Sequence, residues 1–235
     1  MSLKNWDNKT WLSSTSYIRS FNNFLLKQIK LNKNSRILDI GCGRGKILGN
    51  LSSRLRLKKK PIGLDIENHN DRDKRIEFKK VNAIKFLKND KKEFDLILIK
   101  QSIHFFKFLE IKKLLKYSKN KLKPGGKIII FTLDTIHNEI PTFSLMKDRL
   151  KRSLERDKKL LKFIVKLYPQ NLIRKFSFQV TVTRKKYVNM IRNRYISILL
   201  NLNLDQILKG IDEINFKYKK SINFKDRLTC LILKK

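Results

Sequence analysis

Three glycines at alternate positions, Gly41, Gly43 and Gly45, stand just behind an acid, Asp39, that ends an apolar run. Residues 37–45 read Ile-Leu-Asp-Ile-Gly-Cys-Gly-Arg-Gly. Alternate glycines let the backbone turn sharply and let a ligand approach where a Cβ would collide. The N–H groups of such a turn, and of a helix opening behind it, face that ligand. Two commoner glycine loops do not fit. Gly-x-Gly-x-x-Gly needs glycine at 46, where the chain has Lys46. A phosphate-binding loop needs a hydroxyl after Gly-Lys, and Gly45-Lys46 is followed by Ile47. What remains is Asp-x-Gly-x-Gly-x-Gly: either a tight strand-to-helix turn with no ligand, or a seat for a nucleotide-like molecule beside a carboxylate.

The elements around this loop must present it on an edge. An apolar strand over 36–40 feeds the turn, and a helical segment over 46–55 leaves it. A second strand over 61–65 ends in Asp65, 26 positions after Asp39. Short strands follow over 76–80 and 94–99, separated by a polar loop over 67–75 and an amphipathic turn with Ile84, Phe86 and Leu87. A helix over 109–122 stops at Lys123-Pro124-Gly125-Gly126, and a fifth strand spans 127–133. Strands alternating with helices mean βαβ units and a parallel sheet. Right-handed crossovers then line up the strand ends, so that Asp39, Asp65, Asn82 and Lys100 share one edge, where ligands of open α/β sheets bind.

Beyond residue 135 the rhythm changes. Residues 144–168 have the spacing of a long helix, with Met146, Leu150, Leu154, Leu161, Val165 and Tyr168 on one stripe and a basic face opposite. Strands are expected over 176–183 and 228–233, with one helix over 183–210 between them. At the other end, residues 1–14 are polar, and 15–31 carry Tyr17 and Phe21 at helical spacing.

Composition sets bounds. The chain has 235 residues, 41% of them hydrophobic, which suits one domain with a core. No apolar run approaches the ~20 residues of a membrane helix, and a soluble, cytoplasmic protein is expected. Two cysteines, Cys42 and Cys230, argue against a disulfide framework or a cysteine zinc site, and no metal is expected. The net charge of +36 fits either a polyanion partner or an AT-biased, lysine-rich composition with a single alanine, Ala83.

Four signals in order carry a resemblance: Asp39 to Gly45; Asp65; the strand over 94–99 with Lys100-Gln101-Ser102-Ile103-His104-Phe105-Phe106; and Leu122-Lys123-Pro124-Gly125-Gly126-Lys127-Ile128-Ile129-Ile130. Over residues 36–134 the chain resembles class I S-adenosylmethionine-dependent methyltransferases of the small-molecule, type 11-like group. The resemblance implies a Rossmann-like, mostly parallel seven-stranded α/β sheet with helices on both faces and a helical insertion after the fifth strand. It implies one methyltransferase domain over 1–235, with a cofactor core over 36–134 and a helical lid with the last two strands over 135–235. S-adenosylmethionine is the implied cofactor. Gly41, Gly43 and Gly45 would carry its methionine and ribose part, with Asp39 at the amino group and Lys100 nearby. Asp65 would hold the ribose hydroxyls, Ile66 the adenine face, and Asn82 and Ala83 the adenine edge. Many relatives have Asp at the position of Asn82, whose oxygen can still accept from the adenine amino group. Tyr17 is a weaker contact.

The donor chemistry needs a nucleophile held in line with the methyl carbon. A general base is needed only for a protonated acceptor, with His104 and His137 as candidates; packed or solvated roles compete for both. After the fourth strand there is no Asn/Asp-Pro-Pro-Tyr/Phe, which argues against nucleobase amino methylation, and no cysteine nucleophile lies near that loop. A small-molecule acceptor is therefore expected, and an anionic one suits the basic edge. The alternatives are an RNA methyltransferase tracking phosphates along the 144–168 face, and a non-catalytic cofactor-binding protein.

Overall fold

The computed structural model describes residues 10–235. The loose segment expected over 1–14 lies mostly outside these. From residue 10 the chain makes a 3-10 turn, Trp11–Ser13, and then α1, Thr15–Gln28, whose first turn is capped by the Ser14 hydroxyl accepting from Tyr17 N–H at 3.2 Å. There follow β1 (Ile37–Ile40), α2 (Lys46–Leu55), β2 (Ile62–Asp65), β3 (Glu77–Lys80), α3 (Ala83–Asn89), β4 (Phe94–Lys100), α4 (Phe108–Asn120) and β5 (Leu122–Leu133). The last elements are α5 (Ser144–Leu167), β6 (Asn171–Thr183), α6 (Arg184–Arg192), α7 (Leu204–Lys217) and β7 (Ser221–Lys234). None of the described helices is long and apolar enough to cross a membrane.

The seven strands form one sheet in the order β3-β2-β1-β4-β5-β7-β6. The first five are parallel; β7 runs antiparallel to both β5 and β6. The chain order reverses between β1 and β4, which places the ligand crevice at the carboxyl ends of those strands.

Strand side chains alternate between faces, and here each face has its own core. Leu96, Leu98, Ile129 and Phe131 pack with α1, α2, α6 and α7; Ile97, Ile99, Ile128 and Ile130 pack with α3 and α4. Helix α5 belongs to both. Met146 and Leu150 join the first core, whereas Leu160 and Ile164 join the second. At 24 residues it is about 36 Å long, enough to pass from one face to the other across the sheet edge.

Four expectations change. The turn at 123–126 does not precede a strand but lies inside β5, where the pairing shifts register between Phe94 and Leu96. Strands β6 and β7 start earlier than expected, because they pair as one long antiparallel ribbon from Asn171↔Leu233 to Thr183↔Ser221. The fully buried stripe of α5 runs through Leu160 and Ile164, with Leu161 and Val165 only partly covered, since the helix changes partners midway. The single helix expected over 183–210 is two helices. α6 ends with Arg194 at φ 50°, Arg194 N–H on Ile191 O and Tyr195 N–H on Met190 O, a left-handed closure that glycine usually provides. α7 restarts at a capping box between Asn203 and Gln206.

Candidate functional site

A cavity of about 430 Å³ opens at the carboxyl ends of β1, β2 and β4. Asp39, Gly41, Gly43, Gly45, Asp65, Ile66, Asn82, Ala83 and Lys100 all line it. These nine residues span more than sixty positions, and the parallel sheet brings them to one wall.

The glycine loop is built by close approach on one side and openness on the other. Gly41 has φ +75°, and a Cβ there would collide with the Ser102 side chain. Ser102 Oγ donates to Ile40 O at 2.6 Å, clasping the loops after β1 and β4 together. Gly43 has φ +53° and nothing within 4 Å of a Cβ, because that position looks into the cavity. Gly45, the cap of α2, has φ +70°, and a Cβ there would collide with the Ile76 side chain.

The carboxylates differ in their surroundings. Asp65 Oδ2 accepts from Gly43 N–H at 2.8 Å and Oδ1 from Glu67 N–H at 3.0 Å, so the group is fixed and still has acceptor capacity. Asp39 is 4% exposed, and its Oδ1 accepts no hydrogen bond among the described residues. Burial pushes its carboxyl up to about 7; the Lys100 charge opposes this and the Asp65 charge adds to it. Lys100 Nζ sits over the rings of Tyr17 (5.4 Å) and Phe21 (5.5 Å) and donates to Gln101 Oε1 at 2.8 Å. Gln101 itself has φ 52°, a conformation that costs a non-glycine residue about 1–2 kcal/mol and recurs at functional sites.

Two expected residues stand differently. Tyr17 is fully buried beneath Lys100 and does not line the cavity. Asn82 lines it, but its Oδ1 caps α3 by accepting from Ile84 and Lys85 N–H at 2.9 and 3.1 Å. That oxygen is thus engaged by the helix, and the Asn82 amide nitrogen and the Ala83 N–H remain for the cavity. Ile66, by contrast, is 62% exposed on the cavity wall, an apolar surface open to a flat ring.

A second, smaller cavity of about 40 Å³ adjoins the first; Leu12, Gln101 and Phe105 line both. It is closed by Trp11, by α5 through Leu150, Ser153 and Asp157, and by the segment Tyr195 to Ile198. His104 lines this cavity, not the larger one, with its ring 4.3 Å from that of Phe105. Burial, with the Arg156 charge adding, holds its imidazole down to about 4, so it is neutral at pH 7 and a feeble base. His137 is exposed and lines neither cavity. Its neighbour Asp134 caps a turn instead of orienting an imidazole: Oδ1 accepts from the N–H of Ile136 and His137, and Oδ2 pairs with Lys175 at 2.8 Å.

The small cavity contains residues that the sequence reading passed over: Trp11, Asp157 and Asp226. Asp157 occupies an inward position of α5 between Leu150 and Leu160, and Asp226 an inward position of β7 between Phe224 and Leu228. An acid at an apolar-stripe position was the available signal in both cases. Asp226 accepts from Trp11 Nε1 at 3.1 Å, and burial holds its carboxyl above the usual range.

No curated protein matches the sequence. The fold is similar to that of a methyltransferase from an antibiotic biosynthesis pathway of Anabaena variabilis, with TM-score 0.62 and 15% identity over 91% of this chain and 96% of that one. It is similar to a methyltransferase of Bacillus halodurans, with TM-score 0.54 and 15% identity over 92% and 98%. It is also similar to the plantazolicin methyltransferase BpumL, solved in complex with SAH, with TM-score 0.53 and 19% identity over 98% and 87%. At these identities the likeness is one of fold. The family model described as a methyltransferase domain matches residues 13–174, more than half of the chain. With that match over a seven-stranded sheet whose glycine loop opens on the crevice, the chain belongs to the methyltransferase domain family, the class I S-adenosylmethionine-dependent enzymes.

Proposed function

We propose that the chain transfers the methyl group of S-adenosylmethionine to a small-molecule acceptor held in the pocket beside the cofactor cavity. The observation that carries this reading is the Asp39 carboxylate, buried and with Oδ1 unbonded, beside a glycine loop that opens on a 430 Å³ cavity. A buried acceptor without a donor is costly, and the ammonium of the cofactor's methionine end would supply one.

The remaining residues fit the same molecule. Asp65, aligned by two backbone N–H groups, is suited to accept from the ribose hydroxyls. Ile66 offers a face for adenine, and the Asn82 amide and Ala83 N–H its edge. Once bound, S-adenosylmethionine supplies an electrophilic methyl carbon. The chain's own task is to orient the acceptor and exclude water. Leu12, Gln101 and Phe105, shared by the two cavities, define the line along which an acceptor atom reaches that carbon. On this reading residues 1–235 act as one methyltransferase domain, with the 36–134 core binding the cofactor and the segment beyond 135 closing the acceptor pocket.

The anionic acceptor suggested by composition finds no support in this pocket. The lysines of α5 face solvent, and the acceptor side carries Asp157 and Asp226.

The test is direct. Calorimetric titration of the purified chain with S-adenosylmethionine should give one site, and labelled methyl transfer should appear in a metabolite extract. No binding of the cofactor would overturn the reading, and label confined to total RNA would replace the acceptor class.

A further inference from the structure

The two carboxylates of the small cavity are not equivalent. Asp226 has a partner in Trp11. Asp157 is 3% exposed and has an Oδ1 without a hydrogen-bond partner among the described residues. It stands on α5 where that helix crosses from one core to the other, at a position whose neighbours along the stripe are Leu150, Leu160 and Ile164. The walls about it include Trp11, Leu150, Tyr195 and Ile198, which are apolar or aromatic. A leucine would pack there as well as its neighbours do. The carboxylate there is desolvated, and its Oδ1 finds no donor among the described residues.

We propose, on the reading that the larger cavity holds the methyl donor, that the smaller cavity takes the amine head of the acceptor with Asp157 as its counter-carboxylate, making the enzyme an N-methyltransferase of a small aliphatic amine. An ammonium group brings both charge and donors to the unbonded oxygen. A carboxylate or phosphate acceptor would meet Asp157 and Asp226 and be repelled. An alcohol would bring one donor and no charge.

The other charges near Asp157 favour the same ligand. His104, from the turn after β4, stays neutral at pH 7 and does not compete as the cation. Tyr195, ahead of the 3-10 turn Ser197–Leu199, exchanges a hydrogen bond with Tyr187 at 2.8 Å, and burial holds its hydroxyl protonated. Asp226, from β7, is bound to Trp11. Arg156, on α5 itself, is exposed. Burial raises Asp157 to about 6 against the opposing Arg156 charge, so it is ionised at pH 8 and largely protonated at pH 5.

The chemistry balances without a further reactant. The ammonium gives one proton to the Asp157 carboxylate, which frees the nitrogen lone pair. That pair forms the N–C bond while the C–S bond of the donor breaks with its electrons left on sulfur, giving a neutral thioether and a methylated ammonium. Asp157 then releases its proton to solvent. A cavity of about 40 Å³ admits the nitrogen and its first carbons. For the attack the nitrogen must face the wall shared with the larger cavity at Leu12, Gln101 and Phe105, with its carbons toward Leu150 and Ile198.

The full chain, saturated with S-adenosylhomocysteine, should be titrated calorimetrically with n-propylamine, n-propanol and propionate at pH 8 and pH 5. The expected result is propylamine binding at least about tenfold tighter than propanol at pH 8, with propionate not detected and the amine preference lost at pH 5. Asp157→Asn should lose the preference while binding S-adenosylhomocysteine as the wild type does, which also shows that it folds. Quenching of Trp11 fluorescence by propylamine is a second readout, expected in the wild type alone. Equal binding of amine and alcohol, a preference for propionate, or undiminished amine binding by Asp157→Asn overturns the inference and leaves the donor site standing. Failure to bind S-adenosylhomocysteine overturns the function reading and this inference together.

Discussion

Replacing Asp39 by Asn separates what the carboxylate does for the fold from what it does for the cofactor. Its carboxyl is raised from 3.8 to about 7, chiefly by burial. At about 1.4 kcal/mol per pH unit, keeping it ionised in the folded chain above pH 7 costs roughly 4 kcal/mol, an upper bound because water enters the open cavity. The sign follows from proton uptake. Between pH ~4 and ~7 the folded chain holds this proton and the unfolded chain does not, so stability falls as pH rises through that window and levels off above it. Asp39→Asn removes the charge and keeps the shape. At pH 8 it should be more stable than wild type by about 1–2 kcal/mol, or roughly 2–8 °C in Tm for a chain of this size. The gain should shrink as pH falls from 7 toward 4. Cofactor affinity should move the opposite way, becoming about 10- to 150-fold weaker, the worth of a charge-assisted hydrogen bond. Wild-type affinity should also rise with pH by up to about tenfold per unit below pH 7 and flatten above, a slope that Asn abolishes. Thermal melts and calorimetric titrations at pH 5, 6, 7 and 8 read both effects. A variant no more stable at pH 8, or one that keeps the wild-type affinity and pH slope, would refute the assignment of Asp39.

The other expectations are narrower. Asp65→Ala should weaken cofactor binding by 100-fold or more, since it removes the ribose acceptor and frees the Gly43 and Glu67 N–H groups; an unchanged Kd would exclude the ribose role. Gly41→Ala should cost about 2–4 kcal/mol in denaturant unfolding because its methyl meets Ser102. Gly43→Ala should cost only about 1 kcal/mol yet lose more cofactor affinity than Gly41→Ala loses per unit of stability, its methyl pointing into the cavity; the reverse ranking would contradict the loop geometry. Lys100→Met should shift the pH midpoint of cofactor binding upward, because Lys100 opposes the rise of Asp39, and Lys100→Arg should restore it. Asn203→Ala should destabilise α7 by about 1 kcal/mol, read as a lower urea midpoint at constant slope.

What was legible in the sequence was what local physics writes there. Alternating glycines, strand-end acids and short apolar runs each depend on a few consecutive residues, so α2 was placed at its observed bounds and β1 to β4 to within a residue. The failures have particular causes. The end of α6 carries Arg194 where a left-handed closure usually has glycine, so the break left no mark, although the Asn203-to-Gln206 box announced the restart. The start of β7 was missed because Ile222, Phe224 and Asp226 alternate inward with a charge in the pattern, and the acid concealed the period of two.

The same contrast divides the site. The donor side draws its residues from four neighbouring strands and their turns, whose order along one edge follows from handedness alone. The acceptor side draws Trp11 from the start of the described chain, His104 from the turn after β4, Asp157 from α5 and Asp226 from β7. No local pattern joins these; they meet because α5 exchanges one core for the other as it crosses the sheet edge. The rotation of α5 is fixed by its stripe: turned by one residue, Lys147, Lys151 and Lys158 would stand where Met146, Leu150 and Asp157 are buried. On the proposed reading, the register of this one helix decides which side chains meet the acceptor in the smaller cavity.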